Sequence, residues 1–397
     1  MKVLVVCSKY PPEYAGSGLR AHRTYARLKA HHAIQTEVLA SSMVRMAWRN
    51  ETYEVEGVRV TRVSSPFKRR LLRAMERRRR VPQALWYVLT GLDESLRTMA
   101  VLRRYRDVDL VHTFGHCWSA GVAAVWAGLT NKPIFRELVT MRSRPDDPPG
   151  LRRLVRWALR RRGTIVAISP LLAERARQLG FSRVWCRPNP VDEERFRVDR
   201  SRREALRSGQ TPFGLDDVLL VELSKYAPVK NKELAVRTLA HLPARYKLVV
   251  AGPLERDDQP AYDRLQALVN TLGLHDRVVL RRGFVEHPER YLQMADVFLF
   301  PSVSDGLGTA VLEAICCGVP VVAHRLPGVT DAWIRDGENG VLCEATPEAF
   351  AQGVERAAAI PRVQLDDAAR ALAAHAGASA IDEAYLARLQ QATGTRD

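Results

Sequence analysis

Two acids eight positions apart, Asp305 and Glu313, stand where carboxylates are costly. Residues 296 to 322 read as strand, loop, helix, strand. Val297 to Phe300 is an apolar run closed by Pro301, and Val319 to Val322 is another opened by Gly318. Between them, Ser304-Asp305-Gly306-Leu307-Gly308 is turn chemistry and Thr309 to Cys317 a short apolar helix. Glu313 is flanked by Ala310-Val311-Leu312 and Ala314-Ile315-Cys316, and an unpaired buried carboxylate there costs on the order of a few kcal/mol. The hydroxyls of a ligand would satisfy it; a buried arginine or a solvated edge would do so without one. Asp305 lies beside the helix N-terminus, whose unpaired N–H groups favour an anionic partner, so the two acids would line one crevice.

These residues need sheets to position them. Lys2 to Cys7 reads as a continuous apolar strand, followed by a loop through Gly16-Ser17-Gly18 and a helix from about Leu19 to Ala30. A strand, glycine loop and helix start can cradle a phosphate on backbone N–H groups, although an ordinary Rossmann-like turn has the same outline. Residues 37 to 40 and 58 to 63, Asp109 to Thr113, Pro133 to Val139 and Thr164 to Ile168 read as further strands. Leu92 to Tyr105 reads as helix. Arg197 to Gly214 reads as a polar linker, after which a second alternating unit starts at Val218 to Leu223.

With Asp305-Gly306-Leu307-Gly308, Leu312-Glu313-Ala314 and Gly318-Val319-Pro320-Val321-Val322, the chain resembles the retaining glycosyltransferases of the GT-B fold, glycosyltransferase family 4. The spacing of the two acids is that of the family, with Asp in place of the first Glu. Pro188-Asn189-Pro190-Val191-Asp192 resembles the family's motif at the end of its first domain. The resemblance implies an α/β GT-B fold, two Rossmann-like domains with parallel sheets facing an interdomain cleft. Residues 1–198 would form the acceptor-side domain, 199–379 the domain that binds a nucleotide-sugar donor, and a terminal helix of about 380–397 would pack back on the first domain.

The same resemblance assigns roles. Lys225 and Lys230, the N–H groups of Gly308 and Thr309, and the Gly16-Ser17-Gly18 loop would take the diphosphate charge. Val285, in the turn Gly283-Phe284-Val285, would hold the base through its backbone. Glu313 would accept ribose hydroxyls, and Asp305, with Gly306 and Leu307 in its loop, would contact the sugar. His116 stands near the family's reacting histidine. Arg142 and Arg144, in the polar loop Thr140 to Pro148, would border the acceptor, binding a phosphate or standing solvated. Transfer would proceed with retention, by front-face attack, with no metal and no cofactor; Asp146-Asp147 and Asp257-Asp258 read as turn or surface pairs.

Composition bounds the rest. The chain has 397 residues, 46% of them hydrophobic, enough for two folded domains. Its six cysteines are scattered in or beside apolar segments and read as reduced core residues. The net charge of +17 concentrates in Lys68-Arg69-Arg70, Arg73 and Arg77 to Arg80, and in Arg152 to Arg162. No recognition motif for nucleic acid accompanies these clusters. Their interleaved Leu, Met and Trp fit an anionic membrane surface, and a merely solvated surface is the alternative. With no membrane span and no signal peptide read from the sequence, the expectation is a cytoplasmic protein, peripheral on the inner face of the plasma membrane. It would act on a lipid-linked or polysaccharide acceptor. A soluble acceptor, or an inactive GT-B binding protein, is the alternative.

Overall fold

The computed structural model of the chain describes residues 1–13, 16–41, 50–65, 67 and 80–394. Contacts divide the chain into two compact units: Met1–Ile168, Leu172–Arg187 and Asp382–Asp397 form one, Ser169–Leu171 and Pro188–Ile381 the other. Lys68, Arg69, Arg70, Arg73 and Arg77 to Arg79 of the first basic cluster lie outside the described residues.

The first unit holds the strands β1 (Lys2–Cys7), β2 (Gln35–Ser41), β3 (Glu51–Val55), β4 (Val58–Val63), β5 (Leu110–Phe114), β6 (Ile134–Leu138), β7 (Gly163–Ala167) and β8 (Val184–Cys186). They form one sheet in the order β3-β4-β2-β1-β5-β6-β7-β8. β1 pairs in parallel with both β2 and β5, and Val3 to Cys7 are fully buried, as a strand covered on both faces requires. Among the described residues only β3 runs antiparallel, at the edge. Its helices are α1 (Gly16–His32), α2 (Arg80–Leu102), α3 (Trp118–Leu129), α4 (Arg152–Arg162) and α5 (Pro170–Gln178). α2 begins well before the Leu92 start read from the sequence, and a short 3-10 turn, Arg103–Tyr105, follows it.

A charged network sits in this core. Glu137, on β6 and fully buried, accepts hydrogen bonds through Oε1 from Arg187 Nη2 at 2.5 Å and Tyr385 Oη at 2.7 Å. His112 Nε2 lies 3.4 Å from the same oxygen, and Tyr25 Oη is 2.7 Å from His112 Nδ1. Burial alone would raise the Glu137 carboxyl; Arg187 and His112 outweigh it and hold the group ionised, well below the usual carboxylate range. Tyr385 belongs to the last helix, Ala378–Thr393, whose Asp382 also takes a bidentate pair from Arg27 at 2.6 and 2.9 Å. The terminal helix is thus fastened by polar bonds to α1 through Asp382 and to β6 through Tyr385.

The second unit repeats the architecture with six parallel strands in the order β11-β10-β9-β12-β13-β14. It opens with α6 (Arg203–Gln210), followed by β9 (Val218–Leu223), α7 (Lys232–Ala240), β10 (Tyr246–Gly252), α8 (Gln259–Thr271), β11 (Val278–Arg282) and α9 (Pro288–Met294). β12 (Val297–Phe300), α10 (Thr309–Cys316), β13 (Val321–His324), β14 (Gly340–Cys343), α11 (Pro347–Ala358) and α12 (Arg362–Ala376) complete it. α6 corrects the expected polar linker. Its Arg207 is 1% exposed and donates to the carbonyls of Gly214, Asp217 and Met294 and to Asp296 Oδ2, so this polar stretch is anchored by a buried guanidinium.

Arg187→Leu strands the Glu137 carboxylate without its cation and is expected to cost about 3–5 kcal/mol in the urea transition of the first unit. Tyr385→Phe, which removes one donor, is expected to cost about 1–3 kcal/mol. A loss below about 1 kcal/mol for Arg187→Leu would show that the network carries little of the fold's stability.

Candidate functional site

In the second sheet β9 is the strand at which the order reverses: β10 lies on one side of it and β12 on the other. Such a switch point opens a crevice at the carboxyl ends of the strands, between the two loops that diverge there. The β9 loop carries Lys225, Lys230 and the 3-10 turn Pro228–Lys230; the β12 loop carries Asp305 to Gly308. Val303 N donates to Val229 O at 3.0 Å, joining the loops, and Lys230 Nζ reaches Asp305 Oδ2 at 2.5 Å.

Asp305 organises the turn. Its Oδ1 accepts from the N–H groups of Gly306 at 2.7 Å, Leu307 at 3.2 Å and Gly308 at 3.1 Å. Burial works against the charge, but Lys230 and the loop N–H groups outweigh it and lower the carboxyl below its ordinary value. The short Asp side chain therefore folds back on its own loop. Gly308 takes φ +72°, a left-handed conformation that suits glycine, and delivers the chain into α10. Thr309, the first residue of α10, receives a hydrogen bond from Asn189 Nδ2 at 3.2 Å.

Glu313 is the one half-exposed residue in an otherwise buried run from Val311 to Cys317. Burial first, and then the Glu313 carboxylate, push the Cys316 thiol up to about 12. Asp305 and Glu313 thus stand at the start and on the flank of one helix, with Lys230 against the first of them. Lys225 is more exposed, 3.9 Å from Glu255 Oε1. Gly252, at the end of β10, leaves room for the β9 loop: a Cβ there would lie 1.7 Å from Ser224 O. Val285 lines a cavity of about 390 Å³ with Arg281, Arg282, Phe284, Arg290 and Tyr291.

Two contributors escaped the sequence reading. Lys232, 5% exposed, forms an ion pair with the buried Glu222 at the end of β9, and Glu222 also accepts from Ser224 Oγ at 2.5 Å. A glutamate inside an apolar strand, ten positions before a lysine, was the available signal. Asn189, which the sequence shows only within a motif, braces α10, while Glu193 accepts from the N–H groups of Ala378 and Ser379 at 2.6 and 3.0 Å.

The first-unit candidates divide. Gly16, Ser17 and Gly18 form the first turn of α1, which starts earlier than the Leu19 of the sequence reading. Gly18 packs on the Lys9 carbonyl, where a Cβ would come within 2.0 Å. His116 Nδ1 lies 3.5 Å from Nη2 of the buried Arg136, and burial together with that guanidinium lowers its pKa to about 3, so it is neutral near pH 7. Arg136 donates to the carbonyls of Pro145 and Asp147 and so shapes the loop that carries Arg142 and Arg144. Arg142 is exposed, whereas Arg144 Nε is spent on Asp146 Oδ1 at 3.0 Å. Asp146, expected at a turn or surface, is fully buried; Arg156 and Arg152 also pair with it, so part of the second basic cluster is structural. Among the described residues no group of three or more His, Cys, Asp or Glu side chains is placed to hold a metal ion.

Two doubly wound α/β units, one with an anion-favouring helix start, a lysine and two acids at its switch point, define a Rossmann-like α/β class of protein. Glycosyl transferases group 1 matches residues 207–372, and the glycosyl transferase 4-like domain matches residues 15–192. The chain belongs to the GT-B glycosyltransferases of the family 4 type. It is similar to the GDP-mannose-dependent alpha-(1-6)-phosphatidylinositol monomannoside mannosyltransferase of Mycolicibacterium smegmatis, 33% identical over 171 residues, 40% of this chain and 42% of that protein. It is 29% identical over 284 residues to the alpha-D-kanosaminyltransferase of Streptomyces kanamyceticus, 64% of this chain and 69% of that one. The chain therefore spans less than half of the mycobacterial relative. In fold it matches Anabaena HepE, solved with UDP and glucose, at a TM-score of 0.72 and 16% identity, covering 98% of this chain and 100% of that one.

The lowered Asp305 carboxyl sets a pH test. Its charge stabilises the folded state above the ordinary carboxylate value, and that contribution is lost as pH falls through the lower folded value. Asp305→Asn keeps an oxygen for the loop N–H groups and removes the charge. Between about pH 5 and pH 3 the stability of Asp305→Asn is expected to fall less than that of the wild type in parallel urea titrations; equal slopes would refute the ion pair.

Proposed function

We propose that the chain transfers a sugar from a nucleoside-diphosphate donor to a hydroxyl acceptor, with retention of configuration. The acceptor is read as a lipid-linked or polysaccharide precursor at a membrane surface. The observation that carries the reading is the joined pair of loops at the β9/β12 switch point, where Lys230, Asp305 and the start of α10 meet. The solved likeness that holds UDP and glucose is consistent with it, and the relative named for phosphatidylinositol monomannoside supports a lipid acceptor.

In this reading the diphosphate takes its positive charge from Lys230, Lys225 and N–H groups at the α10 start, with no metal or cofactor called for. Entry of the diphosphate draws Lys230 from Asp305 and frees that carboxylate for sugar hydroxyls. Glu313 accepts ribose hydroxyls, and Val285 and its cavity hold the base. The acceptor oxygen bonds to the anomeric carbon as the bond from that carbon to the diphosphate oxygen breaks, and the acceptor proton passes to the departing phosphate on the same face. His116 stays neutral and acts as a hydrogen-bonding group. Arg142 is left as the exposed arginine for an acceptor phosphate, with Arg144 committed to its loop.

Purified protein given nucleotide sugars and membrane-lipid or soluble acceptors, with release of nucleoside diphosphate followed and the product anomer read by NMR, tests this. The expected result is acceptor-dependent release that persists in EDTA, an axial or equatorial linkage matching the donor, and a fall in kcat of about 10²–10³-fold in Lys230→Ala. An inverted product would overturn retention, and loss of activity in EDTA would overturn metal independence.

A further inference from the structure

The burial of α2 is inside out. Toward the protein it presents Thr90, Gly91, Glu94 and Thr98, all buried, while Leu85, Val88, Leu92 and Leu96 are 56, 51, 56 and 74% exposed. The polar side is well occupied: Glu94 Oε1 accepts from Ser119 N at 3.1 Å and Ser119 Oγ at 2.8 Å, and Thr98 Oγ1 lies 2.9 Å from Ser119 Oγ. Gly91 lets the ring of Trp118 approach, since a Cβ there would lie 2.3 Å from it. The helix is therefore seated by hydrogen bonds and close packing, and its four aliphatic residues recur every three or four positions on the outside. An ordinary surface helix carries these residues inward.

α4 adds to the pattern. It packs against α3, as α2 does, with Gly128 closing on Ala158 and the Trp157 ring. Its outer side exposes Leu154 and Trp157, at 52 and 40%, among the exposed Arg153, Arg160 and Arg161. Arg161 stands 5.9 Å over the Trp157 ring. Unlike Arg152 and Arg156, these three arginines are not drawn into the Asp146 cluster.

We infer that the outer faces of α2 and α4 form a docking surface for an anionic lipid bilayer. Leu85 to Leu96 run about 17 Å along the helix, too short to cross a membrane and suited to lying in its interface. Trp157 belongs at headgroup level, and the three arginines attract anionic headgroups. A second copy of this chain fits poorly, because a symmetric contact would bring the same arginines together on two chains of net charge +17. Docking would bring a lipid-linked acceptor to the chain, and to that extent the surface rests on the transfer reading above.

Co-sedimentation with phosphatidylcholine vesicles, with and without phosphatidylglycerol, tests the surface in the full chain. The wild type is expected to bind only vesicles containing the anionic lipid. Leu92→Ser with Leu96→Ser, and separately Arg160→Ser with Arg161→Ser, are each expected to weaken binding about tenfold or more. Circular dichroism and the nucleotide-induced shift in melting temperature are expected to be unchanged in both. No binding by the wild type, or binding that Leu92→Ser with Leu96→Ser leaves intact, would overturn the inference. So would a dimer that the leucine pair of substitutions converts to monomer without any vesicle binding, which assigns the face to a second copy. Vesicle binding without any nucleotide shift in the wild type would keep the surface and remove the transfer reading.

Discussion

A carboxylate taken out of water must find donors, and Asp305 finds four: three consecutive loop N–H groups on one oxygen and Lys230 on the other. The second unit's candidate site depends on that arrangement. The three N–H bonds shape the turn that starts α10, and the ion pair ties this turn to the loop of the neighbouring strand. Because β9 and β12 are adjacent and run parallel, both loops emerge at the same edge of the sheet. The site is therefore a product of topology, its two sides joined by the Lys230–Asp305 ion pair and the Val303–Val229 backbone hydrogen bond.

The supporting charges follow the same physics. Lys232 and Glu222 are buried as a pair beneath the β9 loop, and Arg207 is buried against three carbonyls and Asp296. In the first unit Glu137 gathers Arg187, Tyr385 and His112, while Arg136 shapes the loop around Asp146. Each pair is costly to bury and costlier to break, so each fixes a particular arrangement of loops. The flexible-looking polar segments of this arginine-rich chain are, in several places, held from within.

Parallel strands buried on both faces announce themselves as apolar runs, and β1, β4 and β12 are legible in the sequence to the residue. β3 was not, because an edge strand reading Glu-Thr-Tyr-Glu-Val has no continuous apolar face. α6 reads as linker in the sequence because its best-buried residue is an arginine, whose partners come from distant segments. The acid pair and the glycine turn were legible through turn chemistry and the apolar flanks of Glu313, whereas Lys230 stood out only through the family resemblance. The direction in which Asp305 spends its oxygens was not, since that depends on a side chain one methylene shorter than glutamate. Arg144 and Asp146 show the same limit: a polar loop gives no sign of which charges turn inward.

Thermal stabilisation by UDP, GDP, ADP and TDP, with and without Mg²⁺, measured on the wild type and on Glu313→Ala, tests the central claim most directly. Stabilisation by one nucleotide, independent of Mg²⁺ and lost in Glu313→Ala, is the result that a nucleotide site flanking α10 requires. Stabilisation by none of the four, or an equal shift in Glu313→Ala, would contradict it.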